Sequence, residues 1–190
     1  MGYSSKYYKR HYDKYRKWEN GIGVNIVKTL KLGSILDIGC GVGSYLEGAI
    51  EEGCTDVIGI ELNYDYANGF FVDSVKDYIF KADATKDINL GRKFDCVMSF
   101  EVGEHILLKG TDYFIKNLVQ YSNKYIILTA APPGQKGTGH INLREKDFWI
   151  NKIEEYGFKY DDDVTSRLKK DWEKIGAKWY IIQNLMFFKR

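Results

Sequence analysis

The three histidines of this 190-residue chain are His11, His105 and His140. Two of them stand where chemistry could be done. Glu101, Glu104 and His105 are spaced i, i+3 and i+4, so a helix opened by Glu101 would put all three on one face. His140 lies in a glycine-rich stretch, APPGQKGTGHIN, from Ala131 to Asn142. An imidazole on such a loop is an unusual core residue, and it titrates near neutrality. His140 is therefore the leading candidate for a general base, with Glu104 and His105 as further catalytic candidates. Alternatively, Glu101, Glu104, His105 and His140 converge on one divalent cation, Mg²⁺ or Mn²⁺, which would lower the pKa of an acceptor hydroxyl. A plainer reading has Glu101 and Glu104 answering a helix dipole and His105 packing as a polar edge residue. All three readings stand at this level.

A second set of residues points to a bound nucleotide. The run Ile35, Leu36, Ile38 reads as a buried strand carrying Asp37. Gly39, Gly41 and Gly43 follow at every second position, and Ser44 is placed to cap a helix through Tyr45, Leu46, Ala49 and Ile50. Strand, glycine turn and helix form the entry to a nucleotide-binding βαβ unit. A second apolar strand, Asp56 to Ile60, closes on Glu61, about 20 residues beyond the glycines, where a carboxylate meets a ribose diol. The spacing is GxGxG rather than the GxGxxG of dinucleotide enzymes.

This set resembles the class I methyltransferases that use S-adenosylmethionine (SAM), and the resemblance runs over roughly residues 30 to 190. Tyr78 to Ala84 matches the family's third strand and loop, which implies Asp83 and the backbone of Ala84 at the adenine. Phe94 to Phe100 matches the fourth strand, with Ser99 and Phe100 at the cofactor, and Tyr125 to Thr129 the fifth. The tail from Trp179 through Phe188 fits the antiparallel last strand. The resemblance implies one Rossmann-like α/β domain with a seven-stranded, mostly parallel sheet and flanking helices. SAM would lie at the carboxyl ends of the first four strands, against Asp37, Gly39, Gly41, Gly43, Glu61, Asp83, Ala84, Ser99 and Phe100. The ExxEH-plus-distal-histidine arrangement is also similar to that of small-RNA 3′-terminal 2′-O-methyltransferases and of some quinone-biosynthesis O-methyltransferases, although the second histidine here is closer in sequence.

Absences narrow the acceptor. SFEV follows the fourth strand in place of the Asp/Asn-Pro-Pro-aromatic motif that holds an exocyclic base amine. No Pro-Cys nucleophile suits cytosine C5 chemistry, and no Lys-Asp-Lys-Glu set suits cap methylation. The expectation is O-methylation of a small-molecule or glycan-like acceptor. RNA 2′-O-methylation and SAM binding without catalysis are the alternatives, and nucleic acid is the disfavoured partner. Acceptor choice would fall to the N-terminal segment, the 131–142 loop and the stretch from Asp161 to Lys178.

Composition agrees with one globular domain: 44% hydrophobic residues, two prolines and a net charge of +2. No apolar run reaches membrane-spanning length, and the start of the chain is too polar for a signal peptide. Met1-Gly2 with Ser5 and Lys6 weakly resembles an N-myristoylation site and is discounted. Cys40, Cys54 and Cys96 show no pairing pattern, which suits a reducing, cytoplasmic compartment. Residues 1–31 carry eight basic side chains against two acidic ones, interleaved with Tyr3, Tyr7, Tyr8, Tyr12, Tyr15 and Trp18. These aromatics fall at helical spacing. The division expected is a helical lid or extension over 1–31 and the SAM-binding domain over 32–190.

Overall fold

A computed structural model describes residues 3–190; Met1 and Gly2, and with them the acylation-like start, lie outside the described residues. Helices α1 (Ser5–Lys14) and α2 (Arg16–Leu30) lead into strand β1 (Ser34–Ile38) and α3 (Ser44–Glu51). Then come β2 (Asp56–Glu61), the short α4 (Tyr64–Ala67), β3 (Ile79–Lys81), β4 (Phe94–Phe100), α5 (Leu108–Gln120) and β5 (Ser122–Thr129). The chain closes with α6 (Lys146–Glu154), β6 (Lys159–Tyr160), α7 (Asp162–Ile175), α8 (Trp179–Asn184) and β7 (Met186–Lys189).

The strands form one seven-stranded sheet in the order β3-β2-β1-β4-β5-β7-β6. The first five pair in parallel, and β7 inserts antiparallel between β5 and β6. Parallel strands covered on both faces need apolar side chains on both. Leu36 to Ile38 and Cys96 to Phe100 are accordingly buried without alternation. One face carries α2, α3, α7 and α8 through Trp18, Ile22, Ile26, Leu46, Trp172 and Ile181. The other carries α5 and α6 through Phe114, Leu118, Trp149 and Ile153. The strand order reverses between β1 and β4, the point at which open α/β sheets place their ligands.

Three sequence expectations are corrected. Ser44 does not cap α3; Gly43 is the cap residue, and Ser44 is the buried first residue of the helix. The tail is not a single strand from Trp179, because residues 179–184 form α8 and only Met186–Lys189 enters the sheet. Its apolar content reads equally well as helix or strand over so short a run. Glu101 does not open a helix either. It takes a left-handed conformation, φ 54°, at the end of β4, Gly103–His105 form a single 3₁₀ turn, and α5 starts only at Leu108.

Helix α2 is seated by close backbone approach to α3. A Cβ added at Gly48 would lie 1.9 Å from the Asn20 carbonyl oxygen, and one at Gly23 2.0 Å from that of Tyr45. Arg16 also pairs with Glu47 across the two helices. Gly48→Ala is expected to push the helices apart at a cost of about 3 kcal/mol, lowering the melting temperature by about 6–12 °C. Calorimetric melting checks this; an unchanged midpoint would mean that the pair slides apart without loss.

Candidate functional site

The glycine turn after β1 is stitched to β2 by Gly39 and Cys40 N–H groups, both donating to the Ile60 carbonyl at 2.8 and 3.1 Å. This brings Gly41 beside Glu61, whose Oε2 accepts from the Gly41 N–H at 3.1 Å. Gly41 has φ +58°, and a Cβ there would meet nothing within 4 Å. Its backbone faces a cavity of about 1360 Å³, above the roughly 300–1,000 Å³ that suits one drug-sized ligand. Glu61 is 6% exposed. Its Oε1 accepts from the Asn63 N–H at 2.8 Å and from the Tyr8 hydroxyl at 3.0 Å. Burial raises its pKa despite these donors.

Asp83 lies further along the cavity wall. Burial pushes its pKa up, but the Thr85 hydroxyl and N–H on its Oδ1, with Lys86 nearby, outweigh that and hold the carboxyl below its ordinary value. Of the residues expected at a cofactor, Gly39, Gly41, Glu61, Asp83, Ala84 and Phe100 line the cavity. Asp37, Gly43 and Ser99 are not among the lining residues. Ser99 Oγ donates to the Ile38 carbonyl at 2.7 Å and ties β4 to the end of β1. Asp37 is buried with one oxygen unpartnered. Burial, then the charges of Glu61 and Glu19, push its pKa well up.

The 131–142 loop folds back over the turn that carries His105. The N–H groups of Ile141 and Asn142 donate to the Glu104 carbonyl at 2.9 and 3.0 Å, and Asn142 Nδ2 donates to the Gly103 carbonyl and to Thr111. The rings of His105 and His140 come within 5.1 Å. One donor atom each from Glu104, His105 and His140 lies within 4.8 Å of the others. Glu101 is not part of that group; its Oε1 accepts from Asn184 Nδ2 at 3.1 Å.

Glu104 is fully buried, and among the described residues neither of its carboxyl oxygens has a hydrogen-bond partner. Burial, reinforced by neighbouring Glu101, pushes its pKa well above the ordinary carboxylate range. His105 Nδ1 lies 3.0 Å from the Gly139 carbonyl. A carbonyl only accepts, so in the neutral ring Nδ1 carries the proton and Nε2 is the acceptor. The Tyr3 hydroxyl sits on that Nε2 at 2.8 Å. Burial lowers the His105 pKa, keeping the ring neutral near pH 7. His140 Nδ1 is 3.1 Å from the Gln135 carbonyl, and its ring packs against Gly137.

Sequence reasoning missed the inward partners of these groups. Tyr8 is 2% exposed and bonded to Glu61; Glu19 is buried in the wall and paired with His11 Nδ1 at 3.1 Å. The aromatic spacing of the first helix was a signal for burial, but it could not say against what. Among the described residues, no helix is long and apolar enough to cross a membrane.

Comparison with known proteins agrees with this architecture. The chain resembles the sugar N-methyltransferase KedS8 from Streptoalloteichus sp ATCC 53650, with a TM-score of 0.71 at 15% identity over 100% of this chain and 94% of that one. It also resembles magnesium protoporphyrin IX methyltransferase (ChlM) from Synechocystis PCC 6803 with bound SAH, with a TM-score of 0.62 at 17% identity over 93% and 83% of the two chains. The methyltransferase domain of bacterial CtHen1-CN gives a TM-score of 0.58 at 16% identity over 91% and 97%. At these identities the likeness shows the fold. No curated protein matches the chain. A family model described as a methyltransferase domain matches residues 10–124. That is more than half of the chain, which therefore belongs to this family: it is a class I, SAM-dependent methyltransferase.

Proposed function

We propose that this methyltransferase acts on a hydroxyl of a small or glycan-like acceptor, with His105 as the base that takes the hydroxyl proton. One observation carries the reading. A hydroxyl, that of Tyr3, already donates to His105 Nε2 at 2.8 Å, while the Gly139 carbonyl fixes the ring from its other side. An alcohol or phenol must lose a proton as it is methylated, whereas a neutral amine attacks without prior deprotonation. A histidine held neutral and aimed at an O–H suits the first task. The sugar acted on by the KedS8 neighbour supports a glycan-like acceptor; its nitrogen specificity is the rival outcome. Three buried cysteines without disulfides support a reducing, cytoplasmic setting.

The residues present fit the cofactor. Gly41 leaves backbone open to the cavity, and a side chain at that position would stand where the ligand must approach. Glu61 offers a carboxylate to the ribose diol, and Asp83, whose Oδ2 lies 3.5 Å from Lys86 Nζ, offers that oxygen to the adenine amine. The bound sulfonium supplies a methyl group already activated for in-line displacement. The chain's part is to hold the acceptor oxygen close and collinear, exclude water and receive the proton.

A second reading, in which Glu104, His105 and His140 hold a divalent cation, is favoured by their 4.8 Å grouping and by the unpartnered oxygens of Glu104. Two imidazoles suit Mn²⁺ better than the harder Mg²⁺. Glu101 has no place in that set.

The test is direct. Isotope-labelled SAM is incubated with the protein and, separately, with a panel of hydroxylated sugars and phenols, the matching amines, and RNA. Label appearing on hydroxyls is the expected result. Label on amines, or on RNA with a steep loss at higher salt, would replace it. In the same protein, Glu61→Ala is expected to weaken SAM binding by about 1–3 kcal/mol in calorimetry, through loss of charge-assisted hydrogen bonds.

A further inference from the structure

Glu61 is more fully occupied than a diol-binding carboxylate should be. A carboxylate has about four acceptor sites, two on each oxygen. Oε1 takes Asn63 N–H and Tyr8 O–H, and Oε2 takes Gly41 N–H, so a single site remains, on Oε2. A vicinal diol bridging the carboxylate needs one site on each oxygen. One donor must leave. Two of the three are backbone groups fixed in the glycine turn and at the end of β2. The third, Tyr8, is a side chain on a separate helix.

That helix is more lightly anchored than the one after it. Tyr8 is the only buried side chain of α1, whereas α2 buries six residues. The two helices break at Tyr15, which is at once the last cap residue of α1 and the first of α2. Apart from His11, whose Nδ1 meets Glu19, this N-terminal segment reaches the site through one aromatic group. Tyr3 stacks on Tyr7, with centroids 3.9 Å apart and planes at 18°, and meets Tyr8 edge-on at 6.5 Å. Tyr3 is also the residue bonded to His105 Nε2. One segment thus occupies both halves of the cavity with hydroxyl groups: Tyr8 where the ribose would bind and Tyr3 where the acceptor would.

We propose that α1 is a plug released when Glu61 exchanges the Tyr8 hydroxyl for the cofactor ribose. Its departure takes Tyr3 off His105, so the acceptor site opens only once the cofactor is in place. The order of binding is cofactor first, acceptor second, and the unloaded protein is self-inhibited. The proposal rests on the reading of Glu61 as the ribose contact.

Hydrogen–deuterium exchange of the full chain, with and without S-adenosylhomocysteine (SAH), tests it. Residues 3–14 should exchange faster with SAH while the 39–43 turn exchanges more slowly. Tyr8→Phe keeps the buried ring and removes only the hydroxyl. It should bind SAH about tenfold more tightly, because a larger fraction of the protein is already competent. In that background Glu61→Ala should cost more than it does in wild type, a non-additivity expected only if Tyr8 and ribose compete. Slower exchange of 3–14 with SAH, together with weaker binding by Tyr8→Phe, would make α1 a clamp and overturn the plug. SAH binding that ignores Glu61 in both backgrounds would overturn the ribose reading itself and the plug with it.

Discussion

Replacing His105 with alanine is expected to lower single-turnover methyl transfer by about 10²–10⁴-fold while leaving SAM affinity unchanged or slightly improved. The imidazole is held in one tautomer by the Gly139 carbonyl and already receives a hydroxyl proton donor on Nε2. Losing it removes the acceptor that the Tyr3 hydroxyl meets. The pH profile carries a second signature. Burial lowers the His105 pKa, so the base stays unprotonated below the ordinary histidine value of about 6.5. The acid limb of kcat/KM should therefore lie below that value, and it should vanish in the alanine variant. His140→Ala should cost less, because its Nδ1 is engaged by Gln135 and its ring packs on Gly137. A His140 variant that loses as much as the His105 variant would return the role of base to the loop.

The contacts that single out His105, Tyr3 on Nε2 and the Gly139 carbonyl on Nδ1, could not be read from the sequence. Strands β1, β2 and β4 were legible because a parallel strand buried on both faces is a contiguous apolar run, and the glycine turn is legible because only certain backbones can make it. Asp83, which follows the short, mostly exposed β3, was singled out only by the family resemblance, whereas Glu61 was legible as the acid closing β2. The geometry around Glu101 was not, since i, i+3, i+4 spacing implies a shared face only if the backbone is helical, and Glu101 sits at φ 54°. Nor was α8, whose few apolar residues fit either period. The hydroxyls of Tyr3 and Tyr8 were the least legible of all. Their ring spacing announces an amphipathic helix, but the atoms they meet lie 102 and 53 residues away, and only the folded chain brings them together.

The largest stability effect at the site should come from Glu104. Its carboxyl is fully buried without a hydrogen-bond partner among the described residues, and burial, then the charge of Glu101, pushes its pKa well above the ordinary range. The folded state therefore keeps a proton that the unfolded chain releases above about pH 4.3. Stability is full below that pH and falls as pH rises toward the folded pKa. Glu104→Gln removes the ionisation and leaves the shape. It is expected to raise stability at pH 7 by about 1–3 kcal/mol, to gain nothing near pH 4, and to flatten the pH dependence between. Melting curves at several pH values check this, and an equal shift at pH 4 and pH 7 would show that ionisation is not the cause. The same variant decides between base and cation. If the cation reading holds, Mn²⁺ should raise the wild-type midpoint by mass action, and Mg²⁺ should do so less. Glu104→Gln should lose that response, and chelator should stop wild-type turnover while SAM still binds. If Mn²⁺ leaves the wild-type midpoint unmoved and chelator leaves turnover intact, Glu104 is a buried acid beside a metal-free histidine. Its destabilising burial would then serve only to shape the wall beneath His105.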